Sequence, residues 1–139
     1  MPIADIIAKH AQKEGALLPI LNDVQAQYGH ISDAAIRDIA AQLNLTRAEV
    51  YGVVSFYHDY LRTPAEHPVI KLCGAEACQA RGVKALAEHA IAAADNKAEI
   101  ETVYCLGLCS AGPAAMIGTD VYVRLDEAKM DALIKQVAP

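Results

Sequence analysis

The sequence predicts an α/β chain in two parts, an N-terminal helical bundle followed by a domain built on a mixed sheet. Three observations predict it. Apolar residues recur at helical spacing through residues 3–61. The segment Arg62-Thr-Pro-Ala-Glu-His-Pro68 then interrupts the pattern with two prolines. From Val69 onward, short runs of β-formers alternate with amphipathic stretches.

In the first part, Ile3, Ile6, Ile7 and Ala11 share one helical face, and Gly15 ends that element. Leu17, Leu18, Leu21, Val24 and Tyr28 define a second helix, stopped by Gly29. Ser32 is placed to cap a third, carrying Ala35, Ile36, Ile39 and Leu43. Thr46-Arg-Ala-Glu49 fits a capping box, in which hydroxyl and carboxylate satisfy free N–H groups at a helix start. Val50, Val53, Val54 and Tyr57 supply the apolar side of this fourth helix, and Phe56 and Tyr57 read as core. Four short amphipathic helices make a small bundle with no chemistry in it.

The linker places the boundary between a helical domain, 1–63, and a second domain, 64–139. Val69-Ile-Lys-Leu72 reads as a buried strand running into Cys73, and Cys78 to Ala94 as a helix with Val83, Leu86, Ala87, Ala90 and Ile91 as its stripe. Glu99–Tyr104 alternates like a strand and ends at Cys105. Ala114–Ile117 and Val121–Leu125 flank Gly118-Thr-Asp120 as a hairpin, and Asp126 is placed to cap a last helix bearing Met130, Leu133, Ile134 and Val137. The order β-α-β-β-α matches a thioredoxin-like domain with a mixed sheet. Right-handed strand–helix–strand crossover brings both cysteine-bearing loops to one end of that sheet.

Composition narrows the function. Twelve Lys and Arg against seventeen Asp and Glu give a net charge of −5, without a basic cluster, so nucleic-acid binding is not expected. No run approaches the length of a membrane span, and Met-Pro-Ile-Ala-Asp-Ile-Ile lacks the features of a signal peptide. A cytoplasmic location, where thiols stay reduced, is expected. The five histidines are scattered, Gly107-x4-Gly112 has Pro113 where a phosphate loop needs Lys, and no catalytic residue stands out.

The chemistry lies in four cysteines, paired as Cys73-x4-Cys78 and Cys105-x3-Cys109. Thioredoxin-type exchange requires two residues between the thiols, which neither pair has. A Rieske centre requires two histidines, and neither loop contains one. Zinc is allowed by the spacing but usually staples a fold that lacks its own core. Disulfides are the bland alternative. A [2Fe–2S] cluster with Cys73, Cys78, Cys105 and Cys109 as ligands fits best, with Gly74, Ala75, Ala77, Gly107, Ala111 and Gly112 letting backbone N–H groups approach the sulfurs. Glu76 adds negative charge there unless it turns to solvent.

These motifs, with Cys105-Leu-Gly-Leu-Cys109, Gly112-Pro-Ala and Glu49-Val-Tyr-Gly-Val-Val-Ser-Phe-Tyr57, closely resemble the thioredoxin-like [2Fe–2S] subunits shared by respiratory complex I, NAD-reducing hydrogenases and NAD-dependent formate dehydrogenases. Ala75-Glu-Ala77, Gln79-Ala-Arg-Gly82 and His58-Asp59 look like the gamma subunit of the molybdenum formate dehydrogenases. The resemblance implies a non-catalytic electron-transfer subunit. It would pack on a beta subunit holding FMN and the NAD site, and through it reach an alpha subunit where a molybdenum cofactor oxidises formate. The corresponding subunit of complex I or of a hydrogenase, or a free-standing ferredoxin carrier, is the alternative.

Overall fold

A computed structural model describes residues 1–139, which divide into two compact units, Met1–Ala65 and Glu66–Pro139. In the first, the helices are α1 (Ile3–His10), α2 (Leu17–Tyr28), α3 (Asp33–Leu43) and α4 (Arg47–Phe56). Their apolar faces close on one core, with Ile6, Ile7, Ile20, Leu21, Val24, Ile36, Ile39, Val50 and Val54 all buried. Local sequence sets the ends. Ser32 accepts from the Ala35 N–H, and Thr46 and Glu49 form the reciprocal capping box. Gly29, at φ 73°, closes α2 by donating its N–H to the Gln25 carbonyl.

Two expectations fail in this unit. The first helix stops at His10 instead of running to Gly15, and the next residues turn so that Ala16 joins the core. His10 is the anchor: its ring is buried, and Nε2 lies 2.7 Å from the Asp23 carboxylate on α2. Phe56 and Tyr57, read as core, are 74% and 43% exposed. The buried stripe of α4 is Val50 and Val54, and a residue two places further lies about 200° around the helix. The two rings meet edge to face instead, with centroids 5.1 Å apart.

In the second unit, four strands take the order β2-β1-β3-β4. Strand β1 (Val69–Cys73) lies parallel to β2 (Glu99–Val103), in a register that sets Cys73 opposite Val103. Strand β3 (Ala115–Ile117) runs antiparallel to β1 and forms a hairpin with β4 (Asp120–Tyr122). The helix expected over 78–94 is broken into α5 (Glu76–Ala80) and α6 (Val83–Ala94), because Gly82 adopts φ 86° between them. Ile91, assigned to the buried stripe, is exposed, while Val83, Leu86, Ala90 and Ala94 are inside. Helix α7 (Glu127–Val137) starts where the Asp126 side chain accepts from the Lys129 N–H. Met130, Leu133 and Ile134 of α7 share the core with Ile70 and Leu72 of β1 and with α6. An N-terminal helical region followed by a thioredoxin-like mixed sheet is therefore the architecture. No helix is long and apolar enough to cross a membrane.

Candidate cysteine site

Parallel pairing places the ends of β1 and β2 side by side, so the chain leaves both strands at the same edge of the sheet. Cys73 is the last residue of β1, and Cys105 lies two residues past the end of β2. The Gly74 N–H still bonds the Val103 carbonyl at 2.8 Å, tying the two exits together. Beyond it, Cys105 and Gly107 take φ of 72° and 75° and turn the second loop back. That turn directs the N–H groups of Cys105 and Leu106 at the Cys73 sulfur. Cys78 comes from α5, and Cys109 opens a short 3-10 turn, Cys109–Ala111.

The four thiols differ sharply in environment. Cys73 and Cys78 belong to the hydrophobic core, at 2% and 3% exposure, whereas Cys105 and Cys109 are exposed. Burial pushes the Cys73 thiol up, but N–H groups from Ala75, Cys105 and Leu106 and the Cys78 thiol outweigh it and hold it below the ordinary cysteine value. Burial pushes the Cys78 thiol up, and negative charge on Cys73 and Cys109 adds to the rise. The Cys109 thiol is raised mainly by its hydrogen bond with Cys105, whose Sγ is 3.8 Å away. Glu76 points outward in the first turn of α5 and is exposed, the solvated placement.

This arrangement corrects the expectation of a [2Fe–2S] cluster. No group of three or more His, Cys, Asp or Glu side chains is gathered so as to hold a metal ion. The fold brings all four cysteines to one end of the sheet, two of them buried and two exposed. The inner pair is packed among apolar side chains, and the outer pair faces solvent across its own turn. Two glycines permit close packing here: a Cβ on Gly112 would lie 2.9 Å from the Cys78 sulfur, and one on Gly74 would lie 2.8 Å from Thr102 Cγ2 in the neighbouring strand.

Sequence reasoning missed a cavity of about 300 Å³ beside Cys73, whose walls include Gly74, Gln79, Lys84, Thr102 and Tyr104. Tyr104 is largely exposed at its mouth. Its position next to Cys105 was the available pointer. The histidines stay apart from the cysteines: His10 is paired with Asp23, His89 with Asp131 and Glu127, and His58 and His67 are exposed.

Comparison with known proteins extends this picture. The model of the thioredoxin-like [2Fe-2S] ferredoxin family matches residues 3–138. The chain is 28% identical over 137 residues to a subunit of NADH-quinone oxidoreductase from Rhizobium meliloti (strain 1021), covering 92% of this chain and 82% of that protein. It is 33% identical over 136 residues to a subunit of NADH-quinone oxidoreductase from Rickettsia typhi, covering 89% and 79%. To the NADP-reducing hydrogenase subunit HndA of Solidesulfovibrio fructosivorans it is 26% identical over 144 residues, covering 96% and 84%. A crystal structure of NAD+-reducing [NiFe]-hydrogenase in the H2-reduced state superposes with a TM-score of 0.70 at 28% identity over 84% of this chain. The match takes up 22% of that longer chain, about a fifth of it. Because the family match takes in both units and every cysteine, the chain belongs to the thioredoxin-like [2Fe-2S] ferredoxin family, which it shares with subunits of NADH-quinone oxidoreductase and of hydrogenases.

Proposed function

We propose that the chain is a non-catalytic electron-transfer subunit of a multi-subunit, NAD- or NADP-linked oxidoreductase or hydrogenase. The observation that carries this reading is the family match across residues 3–138, with relatives that are themselves subunits of NADH-quinone oxidoreductase and NADP-reducing hydrogenase. The cysteine end of the sheet is the functional end, with Cys73, Cys78, Cys105 and Cys109 as its residues. The exposed Phe56, Tyr57 and Tyr51 suit a chain that is covered by a partner.

A complex I or hydrogenase assembly is favoured over the formate dehydrogenase reading. The latter, with its FMN- and NAD-binding beta subunit and molybdenum-containing alpha subunit, is supported by Ala75-Glu-Ala77, Gln79–Gly82 and His58-Asp59 alone. Named relatives of the other two kinds align over most of their length. A cytoplasmic location fits four free cysteines.

The test is isolation of the protein from its host with whatever binds it, followed by NADH-, hydrogen- and formate-dependent dye reduction. Copurification with an NAD(P)-dependent activity that falls at least tenfold in Cys73→Ser is the expected result. A chain that migrates alone in gel filtration, with no such activity, would overturn the subunit reading in favour of a free carrier.

A further inference from the structure

Two unpaired arginines stand beside the cysteine loops. Strand β4 runs in the same direction as β1, because each is antiparallel to β3, so it delivers Arg124 to the end where Cys73 leaves β1. Arg81 reaches the same end from α5, and its Cδ lies 3.3 Å from where a Cβ on Gly112 would stand. The Arg124 N–H donates to the Ala111 carbonyl at 2.7 Å, so the two arginines flank residues 109–113. Both residues are exposed, and neither guanidinium has a hydrogen bond or ion pair within the chain. Arg62, by contrast, is held by Asp33. Of the neighbouring carboxylates, Asp126 caps α7 and Glu127 faces His89, which leaves Glu76.

Arg124 is also strained. Its φ is 48°, in the left-handed region where a Cβ crowds the backbone and glycine is preferred. Its N–H is tied to Ala111, and its carbonyl accepts from Lys129 Nζ at 2.9 Å, so the backbone cannot turn away. An arginine kept in a glycine's conformation, with nothing inside the chain for its guanidinium to bind, points to a partner outside it.

We propose that Arg81 and Arg124 are a paired receptor for carboxylates on the surface of the partner subunit, gripping it on either side of residues 109–113. This rests on the subunit reading given above. Guanidinium forks take carboxylates through two parallel hydrogen bonds. The opposite end of the sheet carries Glu99 and Asp120, which repel the same acidic surface. The partner is thereby steered to the cysteine end and held in one orientation. A polyphosphate is a poor occupant for a chain of net charge −5.

The experiment purifies the subunit that copurifies with the chain and titrates it against full-length wild-type chain, Arg81→Gln, Arg124→Gly and the double variant. Lys97→Gln, in the turn before β2, is the control. The double variant should bind roughly tenfold more weakly at low salt and match the wild type at about 1 M NaCl, where exposed charges are screened. Arg124→Gly should keep or raise the Tm, since it relieves the backbone, while still weakening binding. A merely structural role would move Tm down and leave the salt dependence alone. Equal affinity of wild type and double variant, a loss of affinity that persists at high salt, or a fall in Tm for Arg124→Gly would each overturn the proposal and leave the subunit reading standing. Inorganic phosphate binding at the two arginines without any change in partner affinity would also overturn it, in favour of a small-anion site. If nothing copurifies with the wild-type chain, the subunit reading falls and the proposal falls with it.

Discussion

Gly112 shows how closely single positions are specified around the thiols. Its missing Cβ is the space that the Cys78 sulfur and the Arg81 Cδ occupy, so Gly112→Ala must displace a buried sulfur. Overpacking of this kind costs roughly 1–3 kcal/mol. Gly52 is the control, since a Cβ there meets nothing and the residue sits in the exposed face of α4. Gly52→Ala should raise stability by about 0.5–1 kcal/mol through helix propensity. Urea unfolding followed by circular dichroism should shift the midpoint down for the first and up for the second. Asp23 makes a second prediction. Hydrogen bonds from Lys9 and His10 pull its pKa down from 3.8 to about 2. A depressed carboxylate contributes stability that is complete above its unfolded value and fades as pH falls through about 2. The urea midpoint should therefore drop between pH 5 and pH 2, and Asp23→Asn should drop less over that range. Equal drops would remove Asp23 as the cause. The sequence displayed Asp23 only as one carboxylate among seventeen acids, because its partner on α1 is fourteen residues away.

At the scale of elements, what was legible depended on how local its cause is. The capping box at Thr46–Glu49 is written within four residues and forms as read. Thr46→Ala should cost about 1 kcal/mol of stability, visible in a thermal melt as a lower Tm. An unchanged melt would mean that tertiary packing alone holds the start of α4. Helices α2, α3 and α7 were readable for the same reason, each having a cap and a stripe in its own sequence. The break between α5 and α6 was not, since Gly82 inside an amphipathic run is compatible with a continuous helix until a positive φ is required of it. The exposure of Phe56 was hidden by composition, as the chain's one Phe invites a core placement that the helical phase of α4 denies. The cysteine end was legible to the level of the sheet edge, because parallel strands fix where their exits lie. The division into inner and outer pairs depends on φ at Cys105 and on side-chain packing, and neither is visible in ligand spacing.

For the whole molecule, each unit has its own apolar core, one built from α1 to α4 and the other from the sheet with α6 and α7. The segment joining them is pinned at both ends. Arg62 pairs with Asp33 and lies over the Tyr51 ring, with its guanidinium carbon 5.4 Å from the ring centre. The Pro68 carbonyl accepts the Glu99 N–H at 2.8 Å. Between these anchors residues 63–67 are all exposed and belong to no helix or strand. Exposed backbone without regular hydrogen bonds is the preferred substrate of a protease. Cleavage after glutamate by a Glu-specific protease should therefore begin at Glu66, ahead of Glu76 and Glu88 in helices and Glu101 in β2. Fragments 1–66 and 67–139 should each keep a cooperative unfolding transition if the units are independent domains, since neither loses its buried residues in the cut. Glu14 is the informative competitor, because it lies in the turn between α1 and α2 and is also exposed. First cleavage there would show that the segment 63–67 is better protected than the turn, and loss of the transition in fragment 67–139 would show that the second unit depends on the helices and that the boundary is not a domain boundary.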